Sequence, residues 1–129
     1  MPHLNTYPVM DTTLPDGAVI TFRQARGTGA GTVVLLHGIG SNSGSWLAQL
    51  AHGLNAGRVL AWDAPGYGCS TAVTPLRPAA HDYAARLWQW LDVLGVFRGE
   101  PIRNRVMLAL AWGRAALALA RHRRGLRLF

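Results

Sequence analysis

The loop after the first strongly apolar run holds residues that suit the binding of a developing negative charge. The run VVLL at 33–36 leads directly into His37-Gly38-Ile39-Gly40. Glycine lets a backbone turn sharply and approach a bound molecule, and N–H groups at such a turn can stabilise the oxyanion of acyl transfer. The same kind of turn binds the pyrophosphate of a dinucleotide. The sequence therefore predicts an anion-binding loop with two alternative uses.

The dinucleotide alternative depends on glycine spacing and on one acid. Gly38, Gly40 and Gly44 lie between a predicted strand and a predicted helix, and Asp63 ends the next strand, where an acid could bind a ribose. However, Ser43 occupies the usual position of the third glycine. A further strand is also predicted before this unit, whereas such a fingerprint normally follows the first strand of its domain.

A second loop, dense in proline and glycine, follows the apolar run RVLAW at 58–62. It reads DAPGYGCS at 63–70. We expect Asp63 to anchor this loop by accepting backbone N–H groups, and His37 to be a structural histidine that bonds nearby loop backbone. Because ligands of parallel sheets bind beyond the carboxyl ends of the strands, both loops are expected to face one crevice.

The elements around these loops predict a βαβ unit inside an α/β fold. Strands are expected near 18–25, at 32–36 and at 58–62, and the two loops follow the second and third of them. A helix capped by Ser43 or Ser45 and ended by Gly57 is expected between the last two strands. A second helix is expected at about 79–94, with Gly95 as its stop. Its apolar face comprises Tyr83, Leu87, Trp90, Leu91 and Leu94.

Three segments together resemble the N-terminal part of α/β-hydrolase-fold proteins, the esterase, lipase, lactonase and dehalogenase-like enzymes. They are VVLLHGIGSNSGSW, RVLAWDAPGYGCS and HDYAARLWQWLDVLG, within about residues 16–96. The resemblance implies that Ile39 offers its backbone N–H to an oxyanion, with His37, Gly38 and Gly40 shaping the loop. It implies a small-molecule ester-like substrate for the complete enzyme, and no cofactor. It also implies a structural turn beside the site, formed by Asp63, Pro65, Gly66, Gly68 and Ser70.

The catalytic residues of a serine hydrolase are missing from the chain. The fold requires a nucleophile in a Gly-x-Ser-x-Gly turn, followed by an acid and a histidine. The turn is due around 105–114, where the sequence is RVMLALAWGR. No serine follows Ser70, no aspartate follows Asp92, and the only later histidine is His122. We therefore expect no catalytic residue, an inactive chain, and an incomplete α/β-hydrolase-like parallel sheet with flanking helices.

The basic charge is concentrated in the last quarter of the chain. The net charge is +7, but residues 1–97 carry five Arg and five Asp, whereas residues 98–129 carry eight Arg and one Glu. We expect residues 1–97 to be the hydrolase part and residues 98–129 to be a separate Ala/Leu/Arg-rich tail. Such a tail can dock on an anionic membrane or on RNA. However, GC-rich DNA yields the same composition in any frame, and no nucleic-acid partner is expected.

The charge jump also motivates a frameshift hypothesis for the tail. Shifted forward by one nucleotide, the codons for residues 109–114 can spell His-Ser-Leu-Gly-Gly, which is the centre of a nucleophile turn. Only one of these glycines is forced by the genetic code, so the coding DNA is required to decide.

The remaining composition fits a small domain of the cytoplasm. With 129 residues the chain can form one domain, and its single cysteine, Cys69, suits a reducing compartment. No apolar run is long enough for a membrane-spanning helix, and the N-terminus does not read as a secretory signal. No cluster of ligands predicts a metal site.

Overall fold

A computed structural model describes residues 3–38, 40–73, 79–96, 104–108 and 127–128. Within these ranges, six strands form one sheet and two α-helices pack on it. The strands are β1 (Met10–Thr13), β2 (Val19–Arg26), β3 (Thr32–Leu36), β4 (Arg58–Trp62), β5 (Arg105–Leu108) and β6 (Arg127–Leu128). The helices are α1 (Leu47–His52) and α2 (Ala80–Val93), and 3₁₀ turns span Leu4–Thr6 and Ser43–Trp46.

The strand order in the sheet is β1-β2-β4-β3-β5-β6. Strands β4, β3, β5 and β6 are parallel neighbours, whereas β2 runs antiparallel to β1 and β4. The sequence predicted a parallel sheet, and the antiparallel direction of β2 follows from the length of the connection after it. Only five residues connect β2 to β3, too few for the crossover that parallel strands require. The carboxyl ends of β3, β4 and β5 consequently lie at one edge.

Apolar residues on both faces of the sheet are buried, as the continuous apolar runs predict. One face packs against α2, whose buried residues are Ala84, Leu87, Trp88, Trp90 and Leu91. In this layer the Trp90 ring meets Phe22 edge-on at 5.4 Å and lies 5.9 Å from Trp62. The other face packs against α1 through Leu50. The expected apolar face of α2 is confirmed, with Tyr83 and Leu94 partly buried at its margin and Trp88 added to it.

The first helix differs from its prediction at both ends. A 3₁₀ turn precedes it, and the cap of that turn is Asn42, whose side chain accepts the Gly44 N–H at 2.8 Å. Ser43 and Ser45 are not caps, because both lie inside the 3₁₀ turn that Asn42 caps, and the residue that precedes the α-helix is Trp46, which makes no side-chain cap bond. The helix ends at Gly53 rather than Gly57, because Gly53 adopts a left-handed φ of +80°.

Strands β3 and β4 have the predicted bounds, and the strand expected near 18–25 is β2. None of the helices in the described part of the chain has the length and apolarity needed to cross a bilayer.

Candidate active-site loop

The two loops identified from the sequence meet at the carboxyl ends of β3 and β4. His37 directly follows β3 and Asp63 directly follows β4, which is the parallel neighbour of β3. Both side chains are buried, with 1% and 3% of their surfaces exposed. Their polar atoms must therefore find partners within the protein.

His37 is held by backbone on both sides of its ring. The Ala64 N–H donates to His37 Nε2 at 2.9 Å, and Nδ1 lies 2.9 Å from the Gly38 carbonyl oxygen. Since Nε2 accepts, the proton of the neutral ring is on Nδ1, which donates to Gly38. The ring also meets Tyr67 edge-on, with centroids 5.1 Å apart. In this arrangement the ring joins two loops.

Asp63 is a buried carboxylate with a donor on each oxygen. Its Oδ1 accepts the Ser43 N–H at 2.8 Å, and its Oδ2 accepts the Thr21 hydroxyl at 2.7 Å. A hydrogen bond to a charged group is worth about 1.5–3 kcal/mol, which helps to offset the cost of burying the carboxylate. Asp63 therefore ties the start of the 3₁₀ turn and strand β2 to the end of β4.

Ser70 completes this network from the far end of the second loop. Its hydroxyl donates to the Asp63 carbonyl at 2.6 Å and accepts the Thr21 N–H at 2.9 Å. Thr21 is thus bonded to both ends of the loop. No sequence motif points to Thr21, because its role depends on the antiparallel register of β2 with β4, in which Phe22 lies opposite Trp62. Only a prediction of that register could have found it.

Two consecutive residues, Asp63 and Ala64, hold both ends of the loop between β3 and the 3₁₀ turn. At the start of the loop His37 accepts the Ala64 N–H, and just after its end the Ser43 N–H donates to Asp63. Gly40 has a φ of +77°, the left-handed region that favours glycine. Ile39, the residue expected to offer its N–H to an oxyanion, lies outside the described residues.

Backbone conformation and steric contact explain why glycine occupies two positions of the second loop. Gly66 and Gly68 have φ values of +86° and +52°. A Cβ at Gly68 would lie 2.7 Å from Asp63 Cγ, so any side chain there would displace the carboxylate. The turn is closed by Tyr67 N–H to Ala64 and Ser70 N–H to Tyr67, at 2.8 and 2.9 Å. Pro65 lies within this turn, next to Gly66.

The state of Asp63 argues against the dinucleotide alternative. An acid that binds a ribose needs an accessible carboxylate oxygen. Both oxygens of Asp63 already accept internal donors, and the side chain is 3% exposed.

The serines of the chain lie near the two loops. The four serines are Ser41, Ser43, Ser45 and Ser70. The hydroxyls of Ser45 and Ser70 donate to the backbone carbonyls of Asn42 and Asp63 rather than to a base. The described ranges also hold no group of three or more His, Cys, Asp or Glu that could bind a metal.

A family model described as the alpha/beta hydrolase family matches residues 33–128. The chain belongs to the α/β-hydrolase family. The match includes the residues on both clamped loops and continues through the basic tail to β6. No curated protein matches the chain.

Solved structures of hydrolases share the fold. A hydrolase from Pseudomonas aeruginosa is 25% identical with a TM-score of 0.75, and 93% of this chain covers 44% of it. An esterase from Thermogutta terrifontis is 24% identical with a TM-score of 0.72, over 94% of this chain and 43% of the esterase. An epoxide hydrolase from Vigna radiata is 17% identical with a TM-score of 0.76, over 97% of this chain and 37% of the epoxide hydrolase. The α/β-hydrolase chain thus spans less than half the length of these proteins.

Proposed function

We propose that the chain is the N-terminal part of an α/β-hydrolase that acts on an ester or a related acyl substrate. The loop from His37 to Ser43 carries this proposal, because a backbone turn that is bonded at both ends and lies at the carboxyl edge suits the binding of an oxyanion. In the proposal the Ile39 N–H supplies one of the donors, worth about 3 kcal/mol of transition-state stabilisation. Esterase and epoxide hydrolase structures both share the fold, so the acyl substrate remains part of the proposal.

We further propose that these 129 residues are catalytically inert by themselves. Strand β5 ends at Leu108, and the next residues in the sequence are Ala109, Leu110, Ala111, Trp112 and Gly113. Compared with Gly-x-Ser-x-Gly, only the last glycine is kept and Ala111 takes the place of the serine. These positions lie outside the described residues, so the comparison concerns sequence alone. An oxyanion loop without a nucleophile cannot perform acyl transfer by the family mechanism.

The proposal is tested by assaying the purified chain with p-nitrophenyl acetate, an activated short-chain ester. We expect no turnover above that of a heat-unfolded sample, because the sequence has no serine where the nucleophile is due. Turnover that a serine-directed phosphonate abolishes would contradict the proposed inertness. The same preparation is titrated with NAD and NADP, and micromolar binding would favour the dinucleotide alternative.

A further inference from the structure

Thr21 lies on the antiparallel strand β2, away from the two loop motifs, yet it bonds directly to Asp63. Its hydroxyl is 2.7 Å from Asp63 Oδ2 and 3.3 Å from Ser70 Oγ. Ser70 gives its own proton to the Asp63 carbonyl, at 2.6 Å. The single hydroxyl proton of Thr21 is therefore directed to the Asp63 carboxylate, and the proton positions in the network are determined.

The second carboxylate oxygen of Asp63 faces the other loop. It accepts the Ser43 N–H at 2.8 Å, and both residues are almost fully buried. A carboxylate rotates about a single bond, so its two oxygens move together. Any change in the Oδ2 bond to Thr21 consequently changes the direction in which Oδ1 meets Ser43.

We infer that Thr21 is a positioning residue that fixes the His37–Ser43 loop through Asp63. The hydroxyl of Thr21 orients the carboxylate, and the carboxylate holds the Ser43 N–H at the end of the loop. This inference rests on the proposed function, since it assigns Thr21 to the loop that would bind an oxyanion. A residue on β2 would then control a site formed by the ends of β3 and β4.

The inference is tested with Thr21→Val, which removes the hydroxyl and nearly keeps the shape of the side chain. Amide hydrogen exchange at Ser43 is expected to accelerate by about tenfold, the effect of losing one hydrogen bond. The Ser43 amide proton is expected to shift upfield, because its bond to the carboxylate weakens. Thr21→Ser retains the hydroxyl and is expected to restore both values.

Thr32→Val is the matched control. Thr32 is equally a buried strand threonine, but it lies at the opposite end of β3, and it bonds Asn104 Oδ1 through its backbone N–H rather than its hydroxyl. This variant is expected to leave the Ser43 exchange rate and chemical shift unchanged. Equal acceleration in both valine variants, or no change in Thr21→Val, would overturn the inference.

A measurement on the unmodified protein covers the case in which Thr21→Val does not fold. The Thr21 hydroxyl proton is expected to exchange slowly enough to be seen, with a scalar coupling across the hydrogen bond to the Asp63 carboxyl carbon. The Ser43 amide proton is expected to show a coupling to the same carbon. Absence of the Thr21 hydroxyl proton, or of both couplings, would also overturn the inference. No ester assay enters these tests, so turnover by the chain would contradict the proposed inertness without affecting Thr21.

Discussion

At the scale of single residues, Asp63 connects more of the site than any motif indicates. Its carboxylate joins Thr21 and Ser43, and its backbone carbonyl accepts from Ser70. The sequence predicted an acid that accepts backbone N–H groups here, because a carboxylate after a strand and before a Pro-Gly turn often anchors a loop. It could not predict the hydroxyl partner, which comes from a residue 42 positions away.

Asp63→Ala is therefore expected to destabilise the fold by about 3–5 kcal/mol, because it leaves the Thr21 hydroxyl and the Ser43 N–H buried without an acceptor. Urea unfolding measures the effect. Asp11→Ala is the control, since Asp11 is exposed on β1, and it is expected to change stability by less than about 0.5 kcal/mol. Similar values for the two variants would show that the Asp63 network contributes little.

A surface carboxylate gives a prediction of pH dependence. Asp16 accepts the Ala18 N–H and pairs with Arg86 at 2.7 Å, and these contacts, the backbone bond first, hold the pKa of Asp16 below its ordinary 3.8. Because the pKa of Asp16 is lower in the folded state, its ionised carboxylate stabilises the fold above the unfolded-state pKa. This stabilisation is lost as the pH falls through the folded-state pKa.

Arg86→Gln is expected to raise the pKa of Asp16 only part of the way to 3.8, since the Ala18 bond remains. A titration of the Asp16 carboxyl carbon by NMR provides the measurement. A pKa of Asp16 that does not move in the variant would contradict the role of Arg86.

At the scale of elements, the turn after β4 carries the strongest steric constraint. Gly68→Ala adds a Cβ that would meet Asp63 Cγ at 2.7 Å. Gly17→Ala is its control, because Gly17 also has a positive φ, +90°, but a Cβ there meets nothing within 4 Å. We expect Gly68→Ala to be more destabilising in urea by about 1–3 kcal/mol, the cost of overpacking. Equal effects would indicate that the carboxylate moves freely.

Strand β5 and the residue before it connect the start of the basic tail to the sheet. Its register pairs Val33 with Arg105 in parallel, and Asn104, 2% exposed, bonds the Thr32 N–H and the Val96 carbonyl, each at 3.0 Å. The family match also runs to residue 128. The boundary expected at residue 97 and the frameshift hypothesis both stay predictions.

Asn104→Ala is expected to cost about 1–3 kcal/mol, because it leaves two buried backbone groups without partners. Unfolding in urea checks this value. A neutral substitution would mean that the two Asn104 bonds add nothing to the fold.

The coding DNA tests the frameshift hypothesis. A shifted frame that stays open and spells His-Ser-Leu-Gly-Gly would support it, whereas a stop, or no serine near codons 110 and 111, would rule it out.

The sequence predicted the helices and strands correctly where apolar runs were continuous, and incorrectly where more than one glycine could end a helix. The bounds of β3 and β4 follow from their buried runs, and α2 from its apolar face. The end of α1 was wrong because two glycines, Gly53 and Gly57, could each stop a helix, and only the backbone conformation distinguishes them. The strand order could not be predicted, since pairing depends on contacts between distant residues.

At the scale of the whole molecule, the chain has the sheet and the loop of an α/β-hydrolase without a serine where the nucleophile is due. The α/β-hydrolase chain matches solved hydrolases over nearly all of its own length but under half of theirs. We therefore expect any activity of this family to require residues that these 129 positions do not contain. The histidine and acid of the family mechanism would be among them.

Incubation with a fluorophosphonate, followed by intact mass spectrometry, tests the inertness most directly. This reagent phosphonylates a serine only where a neighbouring base activates the hydroxyl. We predict that the folded chain keeps its unmodified mass, because the hydroxyls of Ser45 and Ser70 donate to backbone carbonyls and Ala111 stands where the nucleophilic serine is due. A stoichiometric adduct on any serine, lost when the chain is unfolded beforehand, would contradict the proposal that the chain lacks a nucleophile.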